Sequence, residues 1–243
     1  MIYILLTKGA DPNVRDNAGD LPLLMLLVGT GPLPQEKREA LYLLLAPNFT
    51  TSLDVSTAGT LDNPLHLAIR RKDAYTVDAL LTKMDTVSAH VSSVLQLMHR
   101  QNASGFTPLL LAFKLFNFAE DADDELQIIK LLLEKGANAN DQDATQGETP
   151  LHLVIGGSKN AIALEFLCRH SADPRKPDKA GKCPIDLVHN GETAHPNNKW
   201  YSFARRRLEN VLTADDYRPP ELVALLAEEA ERAAPTSTLA RAR

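Results

Sequence analysis

The residues of this 243-residue chain best able to do chemistry are seven histidines, two cysteines and the triplet Arg205-Arg206-Arg207. A helix that captures a metal needs imidazoles about four residues apart, and His90 and His99 are nine apart. His66 and His152 share one context, Pro-Leu-His-Leu, which points to a structural role in a recurring unit. Neither Cys168 nor Cys183 lies in a Cys-x-x-Cys pair, and both read as inert, buried thiols. The sequence lacks the glycine-rich phosphate loop, the Gly-x-Ser-x-Gly nucleophile turn, the His-Glu-x-x-His zinc motif and the dinucleotide fingerprint. We therefore expect no catalytic residues, no metal and no small-molecule cofactor. Arg205–Arg207, with Trp200 and Tyr201 beside them, suit phosphate contact and base stacking. Three successive residues on a helix point in three directions, however, so a solvated face is the better reading and nucleic acid is not an expected partner. The run Glu120-Asp121-Ala122-Asp123-Asp124-Glu125 could attract a basic peptide or keep a loop soluble.

The elements that must position these residues come from an ordinary composition, 44% hydrophobic and 23% charged, with a formal net charge of -5. A mildly acidic chain has no general attraction for nucleic acid or anionic membrane. The apolar start Ile2-Tyr3-Ile4-Leu5-Leu6 has no basic flank and ends at Lys8, too soon for a signal peptide or a span. We expect an intracellular protein, in cytoplasm or nucleus, with no membrane insertion; the sequons at Asn48 and Asn102 then carry no meaning.

Two motifs alternate along the chain. The first is strongest at Gly147-Glu148-Thr149-Pro150-Leu151-His152-Leu153-Val154, weaker at Asn63–Ala68 and Gly105–Ala112, and degenerate at Gly19–Leu24 and Gly181–Asp186. The second reads Leu5-Leu6-Thr7-Lys8-Gly9-Ala10-Asp11, Leu132-Leu133-Glu134-Lys135-Gly136-Ala137-Asn138 and Phe166-Leu167-Cys168-Arg169-His170-Ser171-Ala172-Asp173. Together, in this order, they resemble the ankyrin repeat, whose unit of about 33 residues is a turn, two antiparallel helices and a projecting hairpin with a Thr-Pro-Leu-His-x-Ala signature. The resemblance implies an all-α solenoid of stacked helix-turn-helix units with short hairpin loops. Proline opens each inner helix, where its missing N–H is no loss. Thr107 and Thr149 can cap that helix, and His66 and His152 can bond to a neighbouring turn and tie repeats together. Gly9 and Gly136 end outer helices in a left-handed conformation.

Spacing marks the interruptions. Prolines 22, 64, 108, 150 and 184 are separated by 42, 44, 42 and 34 residues, and only the last interval is near the ideal. The excess falls in Gly29–Pro34, in a helical segment over Ser88–His99, and in a loop over Phe116–Glu125. The expected domain therefore covers 1–218: a half repeat (1–15), then repeats over about 16–52, 53–101 with an inserted helix, 102–141, 142–177 and 178–218. Residues 2–13 supply only an outer helix and loop, so Met1 is expected either to begin inside a repeat of a longer protein or to open a shortened cap. Asn190–Asn198 reads as a loop, followed by a helix from about Lys199 to Leu212 with Trp200, Phe203, Leu208, Val211 and Leu212 as its buried side. A C-terminal cap helix is expected over 219–234 and a flexible tail over 235–243.

The resemblance also implies that the chain binds a partner protein on a concave surface of hairpin tips and inner helices. Carried over position by position, the tips are Asn17, Ala18 and Asp20, then Ser104 and Phe106, Gln146 and Glu148, and Lys179 and Lys182. The groove would show Arg70, Arg71 and Lys114. Phe106 as an exposed anchor beside these cations suits a partly acidic segment with an apolar side chain. The expected role is that of a scaffold or adaptor, or alternatively a targeting or regulatory domain of a larger enzyme or signalling protein. A nucleic-acid or phospholipid binder acting through Arg205–Arg207 is the remaining reading.

Overall fold

A computed structural model describes residues 2–17, 19–46, 48, 51–86, 97–116 and 123–213. Among them every regular element is helical. An isolated helix α1 (Ile2–Thr7) precedes five helix pairs: α2 (Pro22–Leu27) with α3 (Gln35–Leu45), α4 (Pro64–Arg70) with α5 (Ala74–Thr86), and α6 (Pro108–Leu115) with α7 (Asp123–Glu134). Then come α8 (Pro150–Leu153), continued by a π turn over Val154–Ser158, with α9 (Ala161–Arg169), and α10 (Pro184–Ala194) with α11 (Lys199–Thr213). The even-numbered helices stack on one another in chain order to form an inner layer, and the odd-numbered helices form an outer one. The result is a two-layer solenoid.

Each inner helix starts with the proline at its first turn. In α4 the Asn63 side chain accepts the His66 N–H at 3.0 Å while His66 Nδ1 accepts the Asn63 N–H at 3.3 Å, a reciprocal cap. With Nδ1 occupied as an acceptor, His66 Nε2 carries the proton and donates to the Phe106 carbonyl of the next repeat at 2.9 Å. His152 repeats the arrangement, accepting from Thr149 N–H at 3.1 Å and bonding to the Lys182 carbonyl at 2.9 Å. The histidines thus fasten one repeat to the next, as their shared context suggested. The core between the layers is a continuous run of Leu, Ile, Val and Ala, including Leu24, Ile69, Leu80, Leu109, Ile128, Leu132, Leu164 and Leu167. Each such side chain, fully buried, contributes about 1.5–3 kcal/mol.

The hairpin tips add a second fastening. Ala103 N–H donates to Thr60 O at 2.8 Å, Ala144 N–H to Gly105 O at 3.1 Å, and Lys179 N–H to Gln146 O at 2.9 Å. This approach is so close that a Cβ on Gly105 would overlap Ala144. In the second repeat the corresponding left-handed position is taken by Leu61, at φ 53° and exposed.

Two expectations need correction. Asn190–Asn198 is not a loop throughout, because α10 runs on to Ala194. In α11, Leu208 is buried and Trp200 packs half-buried against the core as expected, but the other buried residues are Tyr201 and Ala204, while Phe203 is exposed. Gly191 has no Cβ, and the Tyr201 ring lies directly against it, which turns Tyr201 rather than Phe203 into the core. The face of α11 turned towards α9 carries Arg207, bonded to Glu165. On the face towards α10, Arg205 Nε meets Glu192 at 2.9 Å and Ser202 donates to the same carboxylate at 2.9 Å.

The inserted helix expected over Ser88–His99 is described only as a helical turn over residues 97–99; residues 87–96 lie outside the described residues, as do 117–122 of the expected Phe116–Glu125 loop, the 219–234 cap and the 235–243 tail. Where that loop is described it is not a loop. Phe116 is buried at the end of α6, with the Lys72 ammonium 5.7 Å from its ring centroid, and Asp123–Glu125 form the first turn of α7. Carboxylates suit that position because they face the positive end of the helix dipole. Glu125 is bonded to Lys72 at 2.5 Å.

Candidate functional site

The arginines expected to line the groove are structural. Arg70 Nε donates to Asp62 Oδ2 at 2.8 Å, and Asp62 is buried and also accepts from Asn102 Nδ2 at 2.7 Å. These bonds hold the Asp62 carboxyl below the usual range against the opposing effect of its burial. Arg71 is only 4% exposed, its Nη1 donating to Val28 O at 3.2 Å and lying where a Cβ on Gly29 would come within 2.6 Å. A buried side chain cannot make first contact with a partner, so Arg71 leaves the set of surface residues. Phe106 is likewise not a free anchor: it is half-buried against the core, its N–H donating to Asn102 Oδ1 at 3.1 Å and its carbonyl held by His66.

The tip residues divide. Asn17 and Ser104 are exposed, while Ala18 lies outside the described residues. Asp20 is half-buried, its N–H donating to Asp16 Oδ1 at 2.9 Å. Gln146 is exposed, its carbonyl accepting from Lys179 N–H. Lys179 bonds through its ammonium to the Ala144 carbonyl, and Lys182 keeps an exposed side chain while its carbonyl receives His152.

Two of the expected residues meet. Lys114 at the end of α6 and Glu148 at the fourth tip stand on one open groove of about 580 Å³, lined also by Phe113, Leu153, Gly156 and Gly157. Gly156 and Gly157 escaped sequence reasoning, although a signal existed. The segments Pro64-Leu65-His66-Leu67-Ala68-Ile69-Arg70-Arg71-Lys72-Asp73 and Pro150-Leu151-His152-Leu153-Val154-Ile155-Gly156-Gly157-Ser158-Lys159-Asn160 align position by position until the second has one residue more. Both helices end on a left-handed lysine, Lys72 at φ 54° and Lys159 at φ 51°. Lys72 N–H reaches back three residues to Ile69 O at 2.9 Å, whereas Lys159 N–H reaches back five to Val154 O at 2.8 Å. The extra residue is absorbed as a π turn, and the arginine pair of one repeat becomes the glycine pair of the other.

Burial pushes the Cys168 thiol up to about 11, and burial with neighbouring carboxylates raises Cys183. Of the three arginines, Arg205 pairs with Glu192 and with Glu209 at 3.4 Å, Arg207 pairs with Glu165, and Arg206 is exposed. Among the described residues no group of three or more His, Cys, Asp or Glu could hold a metal ion, and no helix is long and apolar enough to cross a membrane. A second cleft of about 310 Å³ lies between outer helices α3 and α5, beside the exposed rings of Tyr42 and Tyr75.

Comparison with known proteins agrees with this architecture. Residues 115–168 match the family model described as ankyrin repeats, many copies. The chain is 40% identical over 66 residues to the human 2-5A-dependent ribonuclease, covering 27% of this chain and 9% of that protein. It is 24% identical over 233 residues to the ankyrin repeat and KH domain-containing protein mask-1 of Caenorhabditis elegans, 79% of this chain and 9% of the other. Against the I-Kappa-B like protein G2 of Microplitis demolitor bracovirus (isolate Webb) identity is 33% over 91 residues, 35% of this chain and 54% of that one. The chain thus spans about a tenth of the first two relatives and about half of the third. With its paired helices, its histidine fastening between repeats and these matches, the chain is an ankyrin-repeat protein.

Proposed function

We propose that this chain is a protein-interaction module, a scaffold or adaptor that works inside the cell by holding a segment of a partner protein in the groove between its third and fourth repeats. The observation that carries the reading is that groove itself: an open, half-apolar depression among the inner helices with Lys114 on its rim and Glu148 beside the fourth tip. Exposed Lys182 lies close by, since its carbonyl is bonded to His152 of the groove lining. Exposed Lys114 beside a half-buried Glu148, with Lys182 on the adjoining tip, favours a partly acidic segment, and the flanking apolar surface suits an aliphatic or aromatic side chain. Exposed Asn17 and Ser104 extend the contact along the tips.

A targeting role within a larger protein is a second reading, favoured by the small share of the first two relatives that the chain spans. Contact with nucleic acid or phospholipid through Arg205–Arg207 is disfavoured, because Arg205 and Arg207 are engaged in ion pairs. The test is quantitative affinity purification from cell lysate with the full chain, Lys114→Glu, Glu148→Lys and, as a control on the other cleft, Tyr42→Ala. Partners of the groove are retained by Tyr42→Ala and lost by Lys114→Glu. An unchanged partner set with both groove variants removes the groove from the function.

A further inference from the structure

At the position that is Arg71 in the second repeat, three other repeats carry glycine, and the glycines differ in what surrounds them. A Cβ on Gly29 would meet the guanidinium of Arg71, and one on Gly191 would overlap the ring of Tyr201. Those two are glycines because a neighbouring side chain fills the space. A Cβ on Gly157 would meet nothing within 4 Å, and the same holds for Gly156 beside it. Neither has a positive φ. A glycine inside a helix costs about 1 kcal/mol relative to alanine. Nothing in the described part of the fold calls for these two, by backbone geometry or by packing.

The pair also sits at the single-residue insertion, where the π turn ends the inner helix, and it forms part of the groove wall beside Lys114 and Leu153. Glycine without a packing neighbour is what a surface needs if another backbone is to lie directly on it. Side chains beyond Cα would hold a main chain away by the thickness of a methyl group or more.

Resting on the groove reading above, we infer that Gly156 and Gly157 form a subsite for the main chain of an extended acidic peptide, laid across the glycine pair with a carboxylate directed to Lys114 and an apolar side chain against Leu153. Acidic character follows from charge complementarity: Lys114 is exposed on the groove wall and Lys182 is exposed on the adjoining fifth tip, while Glu148, the one carboxylate lining the groove, is half-buried. The π turn is then the specificity device: it keeps the glycines in the groove while Lys159 and Asn160 still start α9 at the proper place, Asn160 Oδ1 accepting the Ala163 N–H at 2.9 Å.

The test uses the full chain and a phage-displayed library of random twelve-residue peptides, followed by affinity and thermal melting with synthetic copies of the selected sequences. Selection should enrich peptides with Asp or Glu near a large apolar residue. Gly156→Ala with Gly157→Ala should weaken their binding at least tenfold while the melting temperature stays equal or rises. Binding within twofold of the parent chain overturns the subsite, and so does a lower melting temperature, because the glycines would then belong to the fold. If Lys114→Glu abolishes binding and the alanine pair does not, the groove reading stands and this one falls. If no acidic peptides are enriched, both fall.

Discussion

The inner helices of the second and fourth repeats open with the same four residues and make the same bonds, yet after the shared isoleucine they part. In the second repeat Arg70 and Arg71 turn back into the protein, one to a buried carboxylate and the other to the Val28 carbonyl. In the fourth the same positions are glycines facing open space. The half of the motif that fastens repeats together is held constant, because the His-to-carbonyl bond and the apolar face must fit a neighbour of fixed geometry. The half beyond it is free to be filled or left empty. An arginine pair therefore marks a closed groove here, and a glycine pair an open one.

That contrast can be broken or sharpened by substitution. The shared half should respond alike in both repeats: Ile69→Ala and Ile155→Ala are both buried, and each should cost about 2–5 kcal/mol by chemical denaturation. A loss confined to one of them would show that the two repeats are not packed equivalently. The divergent half should respond oppositely. Arg71→Ala removes a buried donor from the Val28 carbonyl and should cost about 1–3 kcal/mol, whereas Gly157→Ala should be neutral or stabilising by up to about 1 kcal/mol.

The fastening histidine makes the second repeat sensitive to acid. Burial holds the His66 imidazole below its ordinary value of 6.5, so the unfolded chain takes up the proton first. Stability from this group is complete above pH 6.5 and falls as pH drops below it. Melting temperature should decline from pH 6.5 towards pH 5, and His66→Gln, less stable at pH 7, should show a shallower decline. An equal slope in both would assign the acid sensitivity to other groups.

The smallest effect concerns Leu61. A left-handed conformation costs a non-glycine residue about 1–2 kcal/mol, and glycine's greater freedom when unfolded offsets part of the gain from replacing it. Leu61→Gly should raise stability by roughly 0.5–1 kcal/mol on this balance. A fall would mean that the leucine side chain makes contacts that outweigh its strained backbone.

Much of the architecture was legible in the sequence, because stacking uses few residue types at fixed places: proline at a helix start, histidine three residues after its cap, and leucine pairs on the outer helices. Side-chain direction was not. Whether Arg71 points outward or under Gly29, and whether Phe203 or Tyr201 is the buried aromatic of α11, depends on a glycine in a different element that leaves room for a ring or a guanidinium. The site was legible in part. Lys114 and Glu148 follow from motif position, while Gly156 and Gly157 carry no chemistry of their own and emerge only when one repeat is counted against another.

The most direct measurement compares the two grooves in one assay: the affinity of a selected acidic peptide for the full chain, for Lys114→Glu and for Arg70→Gln, each checked to be folded. Binding should weaken at least tenfold with Lys114→Glu and remain within twofold with Arg70→Gln. The reverse pattern, loss at Arg70 with Lys114→Glu unaffected, would place recognition at the second repeat and contradict the assignment of the open groove.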